Sequence, residues 1–256
     1  MGADTRSRWR STDGLRTALT GLFVLVVVVN LVGAIAYNHR IQVIDRFRSG
    51  TATVSDGQHA DDLVHVAGLV GLSMVLVIGV VFIVWQWRTA KNAEFLGRVD
   101  ARYTPGWSIG AWFIPFANLA IPVMIMQDLW RASDPESPRD VWRQGRRSAL
   151  VGWWWATMLV AFFFGRWTED RSTLSALRSA DSRAIVGLMI TSVGAILALV
   201  VVRRITARQL ALKTLLVDAG SYPAGVRCAS CGAAYIAGTA VCPECSSTDL
   251  RPTPAP

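Results

Sequence analysis

The sequence predicts an all-α membrane protein: a polytopic bundle of four spanning helices, one proline-broken segment that re-enters the bilayer or lies in its interface, and a small C-terminal four-cysteine zinc ribbon. Three observations predict it. The chain of 256 residues is 52% hydrophobic and only 17% charged, with mean hydropathy +0.36, more apolar than an ordinary soluble domain. Its apolar residues gather into long runs flanked by arginines. Its four cysteines, Cys228, Cys231, Cys242 and Cys245, all lie in the tail, outside every apolar run.

The net charge of +8 would suit a nucleic-acid partner, but the 26 Lys and Arg residues cluster beside apolar runs, as membrane-orientation signals do. Membrane lipids are therefore the expected partner, and nucleic acid is not. Residues 1–14 form a basic N-terminus. The first span, about 15–37, has the roughly 20 residues that cross a hydrocarbon core near 30 Å. It also outruns the usual apolar core of a cleaved signal peptide. Ile41, Ile44 and Phe47 extend this helix along the interface before SGTATVSDGQ turns the chain.

The second span, about 63–87, ends in Trp85 and Trp87, which suit a membrane-interface belt. Ala67 and Gly71 offer a small-residue seam for helix packing. The broken segment, 105–130, is apolar but interrupted by Pro115 and Pro122 around Asn118. After the polar, turn-rich stretch that ends in RQGRR come a span over about 148–167, the brief polar link TEDRSTLSALRSADSR and a span over about 184–202. The last of these carries a second small-residue pair, Gly194 and Ala198, and continues as helix through RRITARQLALKTLLVDAG. The membrane domain thus covers 15–216, followed by a linker at 217–226, the ribbon at 227–250 and a disordered tail at 251–256.

Arginine counts choose between two topologies. If segment 105–130 spans, making five crossings, the basic residues divide 12 inside and 14 outside, with no bias. If it returns to the leaflet it entered, 19 fall inside and 7 outside, as the positive-inside rule requires. A backbone broken at Pro115 also leaves polar groups that lipid cannot satisfy, so the segment should be covered by the other helices. This arrangement puts the N-terminus and the cysteines in the cytoplasm.

The stretches VWQWRTAKNAEFLG, RYTPGWSIGAWFIPFANLAIPVMIMQDLWRASDP, GWWWATML and VVRRITARQLAL resemble the bacterial, chiefly actinobacterial, membrane family known as domain of unknown function 4328. The resemblance runs from Leu15 to about Leu212. Its specific part is Trp85 with Arg88 and Asn92, Pro105-Gly-Trp107, Trp112 to Pro115, Asn118, Pro122 and Leu129-Trp130-Arg131. Members often carry a zinc ribbon at the N-terminus, whereas the cysteine module here is C-terminal. The resemblance implies an architecture in the bacterial plasma membrane and no activity.

Cys228-x2-Cys231 and Cys242-x2-Cys245, ten residues apart, have zinc-ribbon spacing: two knuckles bring four thiolates into a tetrahedron, with Gly232 allowing the first to turn. Such a closed shell leaves no coordination site for substrate, so the zinc is structural. Disulfides are the competing reading and need an extracellular tail. His59, Asp61, Asp62 and His65 either hold a metal or form a solvated helix start, with Asp56 or Asp61 at the N-terminal dipole.

Asn30 and Asn118 are polar groups at membrane depth, where they are costly and therefore candidates for function. With Arg88, Asn92, Trp107, Trp112, Pro115 and Pro122 they make the candidate polar pocket. Arg88, Arg98 and Arg102 either grip lipid headgroups or set orientation. The Trp153 to Trp155 and Phe162 to Phe164 triplets read as lipid-facing belt and packing. The chain has no GxxxxGK[ST], GxGxxG, HExxH or GxSxG motif. The leading expectation is a non-enzymatic scaffold or regulator that docks a protein partner through the ribbon, with homo-oligomerisation a further expectation. The alternatives are a small transporter or channel lined at Asn118, and a lipid-processing enzyme.

Overall fold

The apolar runs continue as helix well beyond the width of a bilayer, because their polar flanks carry helix signals of their own. The structure is a computed structural model that describes residues 9–98, 100–137, 141–164, 173–218, 226–228, 230, 248 and 250–252. Helix α1, Asp13–Arg48, has 36 residues, about 54 Å at 1.5 Å per residue. Asp13 in its first turn and Arg46 and Arg48 in its last complement the helix dipole. It closes on Gly50, whose φ of +72° lets Thr51 N donate to Arg46 O at 2.9 Å and Gly50 N to Phe47 O at 3.1 Å, a Schellman ending.

Helix α2, Val54–Phe95, begins nine residues before its apolar run. A capping box starts it: Asp56 N donates to Thr53 Oγ1 at 3.2 Å, and Thr53 N donates back to Asp56 Oδ2 at 2.8 Å. Of the two readings of this loop, Asp56 takes the part of the helix start. At the far end Gly97, φ +74°, repeats the Schellman ending.

The broken segment is a short helix α3, Trp107–Gly110, a series of turns, a 3₁₀ turn at Ala117–Leu119, and helix α4, Ile121–Ala132, which accepts Pro122 in its first turn. Phe116 has φ +63° and ψ −39°, and Ala117 N donates across it to Pro115 O at 2.8 Å. That is a γ-turn of the rare positive-φ kind. Helix α5, Ala149–Phe164, and helix α6, Leu174–Asp218, complete the bundle. Thr173 caps α6 by accepting from Ala176 N at 3.2 Å, so most of the polar link is the first turns of a 45-residue helix. Two short antiparallel strands follow, β1, Val226–Cys228, and β2, Leu250–Pro252, with Cys228 paired to Leu250.

Three helices, α1, α2 and α6 as far as Leu215, are long and apolar enough to cross a membrane, and α5 is a shorter apolar helix. The chain is a helical membrane protein. Helix α1 packs along both α2 and α6, and α5 packs on α6, while α2 and α6 meet only briefly.

Polar contacts sort the connections into two ends. At one end Arg178 reaches Asp45 at 3.1 Å, and Arg40 of α1 pairs with Asp181 of α6. At the other, Asn92 of α2 bonds both backbone groups of Arg10 at 2.9 Å. Trp85 Nε1 donates to Thr206 at 3.0 Å, and Arg208 pairs with Asp134 at 2.8 Å. The N-terminal segment, the end of α2, the loop after α4 and the C-terminal half of α6 therefore lie together.

Several expectations change here. Trp85 is fully buried rather than part of an interface belt, because Thr206 offers its indole N–H a partner inside the bundle. Ala67 and Gly71 border a void instead of a packed seam, and a Cβ at Gly71 meets nothing within 4 Å. Gly194 does serve close packing, with its missing Cβ 2.8 Å from Met158 Cε of α5.

Candidate functional site

The gap between α2 and α6 is a cavity of about 580 Å³, walled by α1, α2, α5 and α6 and roofed by Trp112. Such a volume lies within the range of small-molecule sites. Its lining is apolar and contains no Asp, Glu, Lys, Arg or His. Glycines Gly68, Gly71 and Gly79 of α2 hollow one wall, and Phe82, Trp112 and Trp154 close one end.

An aromatic cluster shapes that end. Phe82 lies 5.4 Å from Trp85, 5.6 Å from Trp154 and 5.9 Å, edge-on, from Trp112. Trp112 Nε1 donates to Gln86 Oε1 at 2.9 Å, which fixes the ring. Trp155 Nε1 donates to Leu119 O at 3.0 Å and ties the broken segment to α5. The tryptophan triplet therefore divides: Trp153 is 69% exposed, whereas Trp154 and Trp155 are buried.

The candidate pocket residues separate into three places. Asn30 and Trp112 line the cavity. Asn92 and Arg88 hold the N-terminal segment, Arg88 by donating to Ser11 O at 3.2 Å. Trp107, Pro115, Asn118 and Pro122 belong to the broken segment and are absent from the cavity lining. Arg98, read as gripping headgroups or setting orientation, is 2% exposed and donates to Asp134 O at 2.9 Å and Ser137 O at 2.7 Å. It holds the loop after α4.

Beyond the cavity's other end, Arg40 Nε donates to Asp181 Oδ2 at 2.9 Å, a second nitrogen meets Asp181 Oδ1, and Nη1 reaches Asp61 at 3.1 Å. This cluster was missed in the sequence, where Arg40 and Asp181 are 141 residues apart. Among the described residues no group of three His, Cys, Asp or Glu side chains is placed to hold a metal. Asp61 pairs with Arg40 instead. Cys231, Cys242 and Cys245 lie outside the described residues, and Cys228 is described only as backbone of β1.

The family model described as Domain of unknown function (DUF4328) matches residues 50–207. No curated protein and no solved structure matches the chain.

Proposed function

The chain belongs to the DUF4328 family, whose description carries no activity, and from its own geometry we propose a non-enzymatic membrane regulator that docks a protein partner through a cytoplasmic zinc ribbon. One observation carries the reading. Helix α6 is unbroken from Leu174 to Asp218, so a single rod forms one wall of the cavity and ends eight residues before β1 in the sequence. A ligand or lipid that shifts α6 within the membrane moves whatever is mounted on its end.

The pairing of β1 with β2 supports a closed module, since Cys228 pairs with Leu250 and the other three cysteines lie in the chain between them. Cys228, Cys231, Cys242 and Cys245 would hold a structural Zn²⁺, whose binding drives folding of so small a unit. The polar contacts that gather the N-terminus, the loop after α4 and the end of α6 support four crossings with segment 105–130 returning to one side. Its tip suits immersion in lipid: Phe113 and Phe116 are 72% and 85% exposed. No observation favours a polar transport path, because Asn118 is not in the cavity lining.

The test is metal content and cysteine state in the purified full-length protein. One zinc per chain, lost in Cys231→Ser and Cys245→Ser while the membrane domain keeps its melting temperature, is the expected result. In cells, a set of cross-linked partners should disappear in the same variants. Cysteines that resist alkylation until reduced would refute the reading, because a disulfide-linked tail cannot be cytoplasmic.

A further inference from the structure

Asn30, at the middle of α1, is 7% exposed and forms part of the cavity wall. Its Nδ2 donates to Thr191 Oγ1 at 3.1 Å, to Ser192 Oγ at 3.0 Å and more distantly to Leu188 O at 3.4 Å. The two hydroxyls fix which way the amide faces. Thr191 Oγ1 donates to Leu188 O at 3.0 Å and Ser192 Oγ donates to the same oxygen at 2.8 Å. With each hydroxyl's single hydrogen directed to Leu188 O, both accept from Asn30. The amide thus turns its N–H group towards these oxygens of α6.

The Oδ1 atom is left without a hydrogen-bond donor among the described residues. An acceptor in apolar surroundings with no donor is costly, and this one belongs to the wall of an apolar cavity of about 580 Å³. The lining carries no charge, so a phosphate, carboxylate or ammonium finds no counter-ion there. Asn30 is also seven residues from Tyr37 along the helix, about 10 Å below it. The polar part of an ordinary bilayer phospholipid stays at the interface and does not reach that depth.

We propose that this cavity is a binding site for an apolar, lipid-soluble molecule bearing a hydroxyl, which donates to Asn30 Oδ1 while the hydrocarbon body lies between Gly71 and Gly79 on one side and Trp112 and Trp154 on the other. The site belongs to the membrane domain alone and does not depend on the metal. A Cβ at Gly71 or Gly79 meets nothing within 4 Å, so larger residues there fill the space without displacing a neighbour.

The experiment uses the full-length protein in phosphatidylcholine nanodiscs and two photoactivatable probes, a diazirine-bearing hexadecanol and its methyl ether. The ether keeps the body and loses the donor. The alcohol should label cavity peptides about tenfold more than the ether at equal mole fraction, the worth of one hydrogen bond to a buried acceptor. Asn30→Leu should bring the two probes together. The Gly71→Leu/Gly79→Leu double variant should lose labelling by both and keep its melting temperature. Should Asn30→Leu fail to fold, the alcohol-to-ether ratio on the wild type and the filled cavity still decide. Equal labelling of the wild type by both probes would overturn the proposal, since bulk lipid or water would then account for the void. Undiminished labelling of the double variant would overturn it as well.

Discussion

Arg40 and Asp181 join α1 to α6 near one end of the bundle, and their burial is unequal enough to predict an order of effects. The Asp181 side chain is 1% exposed and the Arg40 side chain 11%, whereas Asp61, the second partner of Arg40, is 63% exposed. Removing one member of a buried pair strands the other charge and costs about 3–5 kcal/mol, while an exposed pair contributes about 0–1 kcal/mol. Arg40→Met leaves Asp181 with no partner among the described residues, and should fall at the upper end, about 5 kcal/mol. Asp181→Leu leaves Arg40 able to lean towards Asp61 and water, and should cost nearer about 3 kcal/mol. Asp61→Asn should cost less than about 1 kcal/mol. The double variant Arg40→Met/Asp181→Leu replaces both charges with apolar groups and should be more stable than Arg40→Met alone. The assay is denaturant unfolding of the purified full-length protein in detergent, read by tryptophan fluorescence. Additive single effects, or an Asp61 variant as damaging as the Asp181 variant, would refute this account of the joint.

Three further outcomes follow from the geometry. Asn92→Ala removes two hydrogen bonds at a fully buried site, so amide exchange at Arg10 should quicken and chymotrypsin should cut beside Trp9, with a loss of about 1–3 kcal/mol in local stability. The Thr53 backbone N–H, then its hydroxyl, hold the Asp56 carboxyl below its ordinary value of 3.8. Because that value is depressed in the folded state, the cap stabilises α2 above 3.8 and its contribution is lost as pH falls through the folded value. Hydrogen exchange in the first turn of α2 should show that loss, and Asp56→Asn, which removes the titrating carboxyl, should abolish its pH dependence. Phe116→Gly releases a positive-φ backbone at a residue that is 85% exposed. It should raise stability by about 1 kcal/mol in detergent melts, and an unchanged or lower melting temperature would contradict the strained turn.

The helices were legible in the sequence wherever lipid dictates composition, because no other element satisfies its own backbone over so long an apolar run. The α-helical reach of α1 past Tyr37 as far as Phe47, and of α6 past Val202, was also legible, since no glycine or proline interrupts those stretches. Which faces pack was not. In water an apolar stripe marks the buried side, but lipid accepts Leu31 or Val75 as readily as the core does, and both are more than half exposed. Ala67 and Gly71 therefore looked like a seam and proved to border a cavity. Asn30 was legible as an anomaly of depth. Its three partners on α6 were not, because the nearest is 158 residues away. The burial of Arg98 and Trp85 was hidden for the same reason: their partners, Ser137 and Thr206, are set by tertiary structure.

The arginine count and the contacts of Arg98 support the proposed return of segment 105–130 by separate routes, and together they make it testable. A fifth crossing between α2 and α5 would put about 30 Å of hydrocarbon between the two ends of that segment. Yet one Arg98 nitrogen donates to both Asp134 O and Ser137 O, at 2.9 and 2.7 Å, and Asp134 in turn pairs with Arg208 of α6 at 2.8 Å. A guanidinium at the end of α2 cannot hold a loop on the far side of the bilayer. Alkaline phosphatase fused after Ser137 should thus be inactive, fluorescent protein at the same place should fold, and the C-terminus should behave alike. An active phosphatase at Ser137 would require Arg98 to leave both carbonyls, and Arg98→Ala would then leave the stability of the loop unchanged. With a cytoplasmic loop, Arg98→Ala should instead expose 133–137 to protease in inverted vesicles and not in intact cells.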